Sequence, residues 1–253
     1  MCLIHVAYQV HTRYSLIVAA NRDELRDRPT APAHFWADMP HILAGRDLER
    51  MGTWMGVTAE GRFAALTNYR NPKEETAGKR TRGELVSGFL QSAEAPEVYM
   101  RRVQEEGQAY PGFNLLVSDG GKLLYYSNVQ NEVQVLQPGI YGLSNAFLND
   151  PWPKVQRGMD GMKRCLRGAE EGLTACLLEM LQHAEPAPDE LLPATGVSLE
   201  WERRLSPLFI EGADYGTRSS AVLLQNAAGI QFTERTYSGG QSEDRCFSME
   251  ISR

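Results

Sequence analysis

The chain has 253 residues, 42% of them hydrophobic and 23% charged, with a formal net charge of −6. Acidic residues outnumber basic ones, 32 to 26, so nucleic acid is excluded as an expected partner. No apolar run approaches the roughly 18 residues of a membrane-spanning helix. A chain of this length buries enough surface to fold as one domain over residues 1–253 without a metal or a disulfide.

Leu3–Val10 and Ser15–Ala20 are apolar runs joined through His11-Thr12-Arg13. Their pattern is that of a hairpin buried on both faces. Short β segments are expected at His34–Trp36 and Ile42–Ala44. Gly52–Thr58 and Arg62–Tyr69 form a further hairpin about Glu60-Gly61. Residues 70–82 (RNPKEETAGKRTR) carry no apolar period and are expected as an exposed, charged loop. Leu85, Val86, Phe89 and Leu90 share a helical face, as do Val98, Tyr99, Arg102 and Val103, with Pro96 at the start of the second helix. Strands follow at Asn114–Ser118, Leu123–Asn128, Val133–Leu136 and Ile140–Ser144. Trp152–Leu166 and Leu173–Leu181 return to helical spacing. Residues 184–198 are expected as a loop, and Leu208–Ile210, Thr217–Gln225, Gly229–Tyr237 and Cys246–Ile251 as strands. Helices in consecutive pairs argue against a doubly wound parallel fold. Two antiparallel sheets packed together, with helix pairs outside, fit the order of elements.

Of the four cysteines, Cys2, Cys165, Cys176 and Cys246, none forms a Cys-x-x-Cys pair or shows zinc-like spacing with histidine, and no metal is expected. The five histidines do not cluster in sequence. The opening residues lack a basic leader pattern. A reducing, cytoplasmic setting with free thiols is therefore expected, with Cys165, Cys176 and Cys246 as packing residues. Cys2 admits two readings. With Met1 removed, one residue carries a thiol and an α-amine, whose ordinary pKa of about 7.7–8.0 suits a general base. Alternatively, Cys2 is a small buried residue opening an edge strand.

Asn21-Arg22-Asp23-Glu24 follows the second apolar run directly. Hairpin geometry brings Asp23 near Cys2, where a carboxylate would orient the α-ammonium and Arg22 would lower the thiol pKa. A solvated turn is the alternative. Gly142-Leu143-Ser144-Asn145 and Tyr215-Gly216-Thr217-Arg218-Ser219-Ser220 also put polar side chains at strand ends. Asn145 and Asn68 are candidate oxyanion donors, and Arg218 a partner for a carboxylate or a substrate anion.

Five blocks carry a resemblance: Met1-Cys2, AANRDE, GTWMGVT with FAALTNYRNP, GLSN followed by DPWPKV, and YGTRSS. In this order they resemble the NRDE family, also called the Transport and Golgi organisation protein 2 family. That resemblance implies an α+β fold of the amino-terminal nucleophile hydrolase kind, a four-layer αββα sandwich. It implies Cys2 as nucleophile, with Asp23, Asn68, Asn145 and Arg218 in catalytic roles and Asn21, Arg22, Glu24 and Ser219 as binding residues. The related acylases carry Arg-Asn-x-Asp, and here Ala20 falls where their arginine belongs, so Arg22 is the question. The activity implied is that of a cysteine amidohydrolase acting on a non-peptide C–N bond. The alternative implied is a non-enzymatic protein that binds haem or a lipid or acyl-coenzyme A in the same pocket. No cofactor is required, haem being a ligand under that alternative. The expected partner is a small amphipathic or acyl-amide ligand.

Overall fold

The structure is a computed structural model and describes residues 2–251. The first hairpin is β1 (Cys2–Tyr8) and β2 (Leu16–Leu25). It is followed by β3 (Thr30–Trp36), β4 (Met39–Asp47), β5 (Met55–Thr58) and β6 (Phe63–Asn68). Helices α1 (Gly83–Gln91) and α2 (Pro96–Glu106) precede β7 (Phe113–Ser118), β8 (Leu123–Ser127), β9 (Glu132–Val135) and β10 (Gly139–Leu143). Then α3 (Pro153–Cys165), α4 (Leu173–Leu181) and α5 (Leu199–Arg204) lead into β11 (Tyr215–Gln225), β12 (Gly229–Ser238) and β13 (Gln241–Glu250). One sheet runs β10-β1-β2-β11-β12-β13 and the other β3-β4-β5-β6-β7-β8-β9, antiparallel throughout.

The alternation of side chains along each strand builds the layers. In β1, Ile4, Val6 and Tyr8 face the second sheet and join Val18, Leu43, Val57, Leu116 and Leu223 in the inter-sheet core. The intervening Ala7 faces outward with Ile17 and Ala19, and is covered by Met162, Leu177 and Leu181 of α3 and α4. On the far side, α1 and α2 lay Val86, Phe89, Tyr99 and Val103 on Ile42, Ala64, Leu115 and Leu124 of the seven-stranded sheet. Each fully buried side chain of this kind contributes about 1.5–3 kcal/mol. The result is the αββα layering expected from the resemblance.

Three local expectations are corrected, and one further element appears for which none was expected. Cys165 and Cys176 are not free thiols: they form a disulfide, with Cα atoms 5.7 Å apart, because the turn after α3 folds α4 back against its end. Leu208–Ile210 is not a strand; Leu208 and Ile210 are buried in irregular chain, and the Leu208 backbone carbonyl accepts a hydrogen bond from the Asn21 side chain. The short helix α5 forms just beyond the expected loop, capped by Ser198 accepting from the Trp201 N–H. Finally, β1 is an interior strand between β10 and β2, so Cys2 does not open an edge strand.

Candidate active site

Where β1, β2 and β11 end on one side and β4, β6 and the 70–83 loop on the other, the inter-sheet core gives way to a polar cleft of about 680 Å³. Cys2, Arg22, Asp23, Glu24, Asn68, Arg218 and Ser219 all line it. These residues, scattered from 2 to 219, are gathered by the central sheet order, which places β2 between β1 and β11.

Cys2 pairs with Arg22 across β1 and β2. Its side chain follows Ile4, Val6 and Tyr8 toward the inter-sheet space, and it is 7% exposed. Burial pushes the thiol up to about 11, with Asp23 and Glu24 adding to that rise and Arg22 opposing it. Arg22 is 7% exposed. Its Nη2 lies 3.7 Å from Glu24, while Nη1 has no hydrogen-bond partner among the described residues. Ala20 and Arg22 share a face two residues apart, so Arg22 presents its side chain to the inter-sheet side, one strand repeat nearer the cleft than Ala20.

Asp23 is buried and accepts a hydrogen bond from Thr217 Oγ1 at 2.8 Å. Burial pushes its carboxyl upward, and Lys154 and Arg22 pull against that shift. Opposite this strand end the register of β11 slips between Thr217 and Ser219. Arg218 is the extra residue, and such a bulge re-aims a side chain. Its Nη1 donates to the carbonyls of Leu25 (2.6 Å) and Arg28 (3.2 Å), not to a carboxylate. Burial lowers its pKa, and Arg22 and Arg26 lower it further. Ser219 faces Arg22 in register.

Two predicted residues stand behind the cleft. Asn145 is buried, and its Nδ2 donates to the Asn68 carbonyl at 2.9 Å. The Ser144 hydroxyl donates to Asn145 Oδ1 at 3.2 Å and lies 3.4 Å from the Cys2 carbonyl. Asn145 thus ties the Asn68 loop to the start of β1. Asn21 points to the helix layer: its Nδ2 donates to the carbonyls of Leu181 (2.9 Å) and Leu208 (2.8 Å), and its Oδ1 accepts from Ser220. It braces the sheet and does not line the cleft.

Sequence reasoning missed three participants. Glu234 of β12 is buried, accepts the Ala33 N–H at 2.5 Å and faces the cleft; burial pushes its carboxyl upward. Arg82, at the end of the supposedly solvated loop, turns inward to donate to the Gly112 carbonyl, and burial lowers its pKa. Lys154 is 2% exposed beneath Cys2 and Asp23. The DPWPKV block contains Lys154, so a signal was present; nothing local distinguishes Arg82 or Glu234.

The cleft lining holds eight basic residues against four acidic ones, in a chain whose net charge is −6. Arg28, Arg46, Lys79 and Arg80 are neutralised by neighbouring carboxylates. Among the described residues, neither Arg82 nor Arg218 makes an ion pair, and no group of acidic, histidine or cysteine side chains is placed to hold a metal ion. No helix of the described residues is long and apolar enough to cross a membrane.

An αββα sandwich with a cysteine opening an interior strand at the floor of a polar inter-sheet cleft is the class that fold and site define. The family described as Transport and Golgi organisation 2 matches residues 1–239, and the chain belongs to it. It is 38% identical to the Transport and Golgi organization protein 2 homolog of Bos taurus, covering 94% of each chain. It is 36% identical to the homolog of Homo sapiens, covering 93% of each. Among solved structures, the C2A mutant of conjugated bile acid hydrolase from Clostridium perfringens is similar at a TM-score of 0.45 and 10% identity, with 97% and 92% of the two chains covered. A Caenorhabditis elegans ortholog of N-acylethanolamine-hydrolyzing acid amidase is similar at 0.48 and 11% identity, with 88% and 92% covered.

Proposed function

We propose that the chain is a cysteine amidohydrolase whose nucleophile is Cys2, acting on an acyl amide other than a peptide. The observation that carries this is the placement of the Cys2 thiol on the cleft floor, with Arg22 across the strand pair and Asp23 beside it. Met1 lies outside the described residues, and the mechanism requires its removal, since only then does Cys2 bear an amine.

The free α-amine takes the Sγ proton as sulfur attacks the acyl carbon. Burial holds the resting thiol protonated, so proton transfer and attack are coupled, and Arg22 lowers the cost of the thiolate character that develops. The side chain of Asn68, facing the cleft, donates to the oxyanion. The C–N bond breaks, the leaving amine takes the proton from the Cys2 ammonium, and a thioester remains. Water, deprotonated by the same amine, then cleaves the thioester to a carboxylic acid and restores the thiol. Asp23 holds the ammonium in register throughout.

The test begins with the intact mass of the native protein, expected to be short by one methionine. Wild type and Cys2→Ala are then compared on a panel of acyl amides. Retained Met1, or no turnover that depends on Cys2, sinks the proposal.

A second reading is favoured by Arg82 and Arg218, which line the cleft without ion-pair partners among the described residues. They suit an amphipathic anion bound without turnover, such as an acyl-coenzyme A or haem. The lining contains no histidine or methionine, and burial keeps the Cys2 thiol protonated. The site therefore fits the carboxylates of haem and offers its iron no histidine or methionine. Titration of wild type, Arg82→Ala and Arg218→Ala with haem and with an acyl-coenzyme A decides it: unchanged affinity in both variants removes this reading.

A further inference from the structure

Beneath the candidate site, on the helix-facing side of the six-stranded sheet, lies a second set of charges. Lys154 is the second residue of α3, and its side chain is 2% exposed. Its Nζ has no hydrogen-bond partner among the described residues. The position is doubly unfavourable for an ammonium: it is cut off from water, and it sits in the first turn of a helix, where the backbone dipole is already positive. A cation there needs a counter-charge.

The charged and titratable groups around it identify that counter-charge. From β1 come Cys2 and His5, from β2 Asp23, from the segment after β6 Arg70, and from α5 Glu202. Arg70 and Glu202 are both buried and pair at 2.9 Å, so they neutralise each other. Burial pushes His5 down to about 4, which leaves it neutral at ordinary pH. Asp23 remains, and it is the strongest charge acting on Lys154. The strand pattern explains why they meet. Asn21 and Asp23 share a parity in β2, and Asn21 reaches Leu181 at the end of α4, so this parity faces the helix layer. Cys2 has the opposite orientation, with its thiol toward the cleft.

We propose that Lys154 is a positioning residue: its buried ammonium, on the helix-facing side of the sheet, holds the Asp23 carboxylate ionised beside Cys2. Lys154 does not reach the cleft and acts only through Asp23. The inference rests on the amidohydrolase reading for its consequence, since an ionised Asp23 is what would hold the Cys2 ammonium. The pairing itself does not depend on that reading. Lys154 is pushed by burial down to about 8 with Asp23 opposing; Asp23 is raised by burial, and Lys154 is the first group opposing that rise.

The chain has five lysines, which makes a carbon-13 lysine titration by NMR tractable. Lys154→Arg, which keeps the charge, assigns the signal by its loss. One lysine signal is expected to titrate well below the other four, and its midpoint to fall further in Asp23→Asn, where the carboxylate is replaced by a neutral acceptor. The reciprocal measurement is the carboxyl carbon of Asp23, whose midpoint should rise in Lys154→Met and stay in place in Lys154→Arg. Five lysines titrating together, or an Asp23 midpoint indifferent to Lys154→Met, overturns the proposal. If amide turnover is found, the acidic limb of the kcat/KM profile should move to higher pH in Lys154→Met with KM little changed, and return in Lys154→Arg. An unmoved acidic limb also overturns it. If wild type turns over no amide, the hydrolase reading fails, while the two titrations still decide whether Lys154 and Asp23 are paired.

Discussion

Arg22 stands directly opposite Cys2 in the antiparallel pairing of β1 and β2, and both side chains face the space between the two sheets. Register alone creates this relationship. A slip of one residue would turn the arginine toward the helix layer and put Asn21 or Asp23 over the thiol.

Arg22 and Asp23 act on the thiol with opposite sign: the guanidinium lowers the Cys2 pKa and the carboxylate raises it. In Arg22→Leu the rate of Cys2 alkylation by iodoacetamide at pH 8 should fall, by about tenfold for each unit of upward shift. In Asp23→Asn it should rise. Peptide mass spectrometry on Cys2 separates it from Cys246. Equal rates in all three proteins would show that neither charge senses the thiol.

The ring of His5 packs against the backbone of α3. A Cβ placed on Gly158 would sit 2.0 Å from His5 Cε1, and Val155 O is 3.2 Å from His5 Nε2. Gly158→Ala should therefore destabilise the fold by about 1–3 kcal/mol through overpacking. The cost should shrink when His5→Ala is added, because the ring that clashes is gone. Urea unfolding of the two single variants and the double variant measures the coupling.

His5 also predicts a pH dependence of stability. Its folded pKa is about 4, below its ordinary value of 6.5, chiefly because of burial. Between these values the unfolded chain binds a proton that the folded chain does not. Stability should thus fall as pH drops through this window, by at most roughly 3 kcal/mol, and be unaffected by this group at higher pH. Urea midpoints measured from pH 7 to 4 should fall less steeply in His5→Gln.

The disulfide between Cys165 and Cys176 leaves Cys2 and Cys246 as the free thiols. Thiol titration of denatured, unreduced protein should count two and, after reduction, four. Replacing the pair by serine should lower stability by about 2–3 kcal/mol, as expected for a bridge closing so short a loop. Four thiols before reduction would restore the expectation of free cysteines.

Much of the layer order was legible in the residues. The two-sided burial of the first hairpin, the consecutive helix pairs and the polar cluster after Ala20 each follow from local periodicity, which depends on near neighbours in the chain. The same local signal misled at Leu208–Ile210, where an apolar triplet forms irregular chain beneath Asn21. It misled again at residues 70–82, where Arg70 and Arg82 turn inward from a segment without apolar period.

By itself the sequence determined most of the elements and their layered order, because alternation is a property of short segments, and strand-end polarity nominated Arg22 and Asp23 as candidates beside Cys2. Only the tertiary structure decided which of the candidates share the cleft. Asn21 and Asn145 went to bracing, Glu234 and Arg82 joined the lining, and Lys154 came to lie behind Asp23. Those outcomes depend on strand register, on the bulge at Arg218 and on how helices seat against a sheet. Asn21 meets Leu181, and Lys154 meets Asp23, across more than a hundred positions of chain, and no local pattern encodes such a meeting.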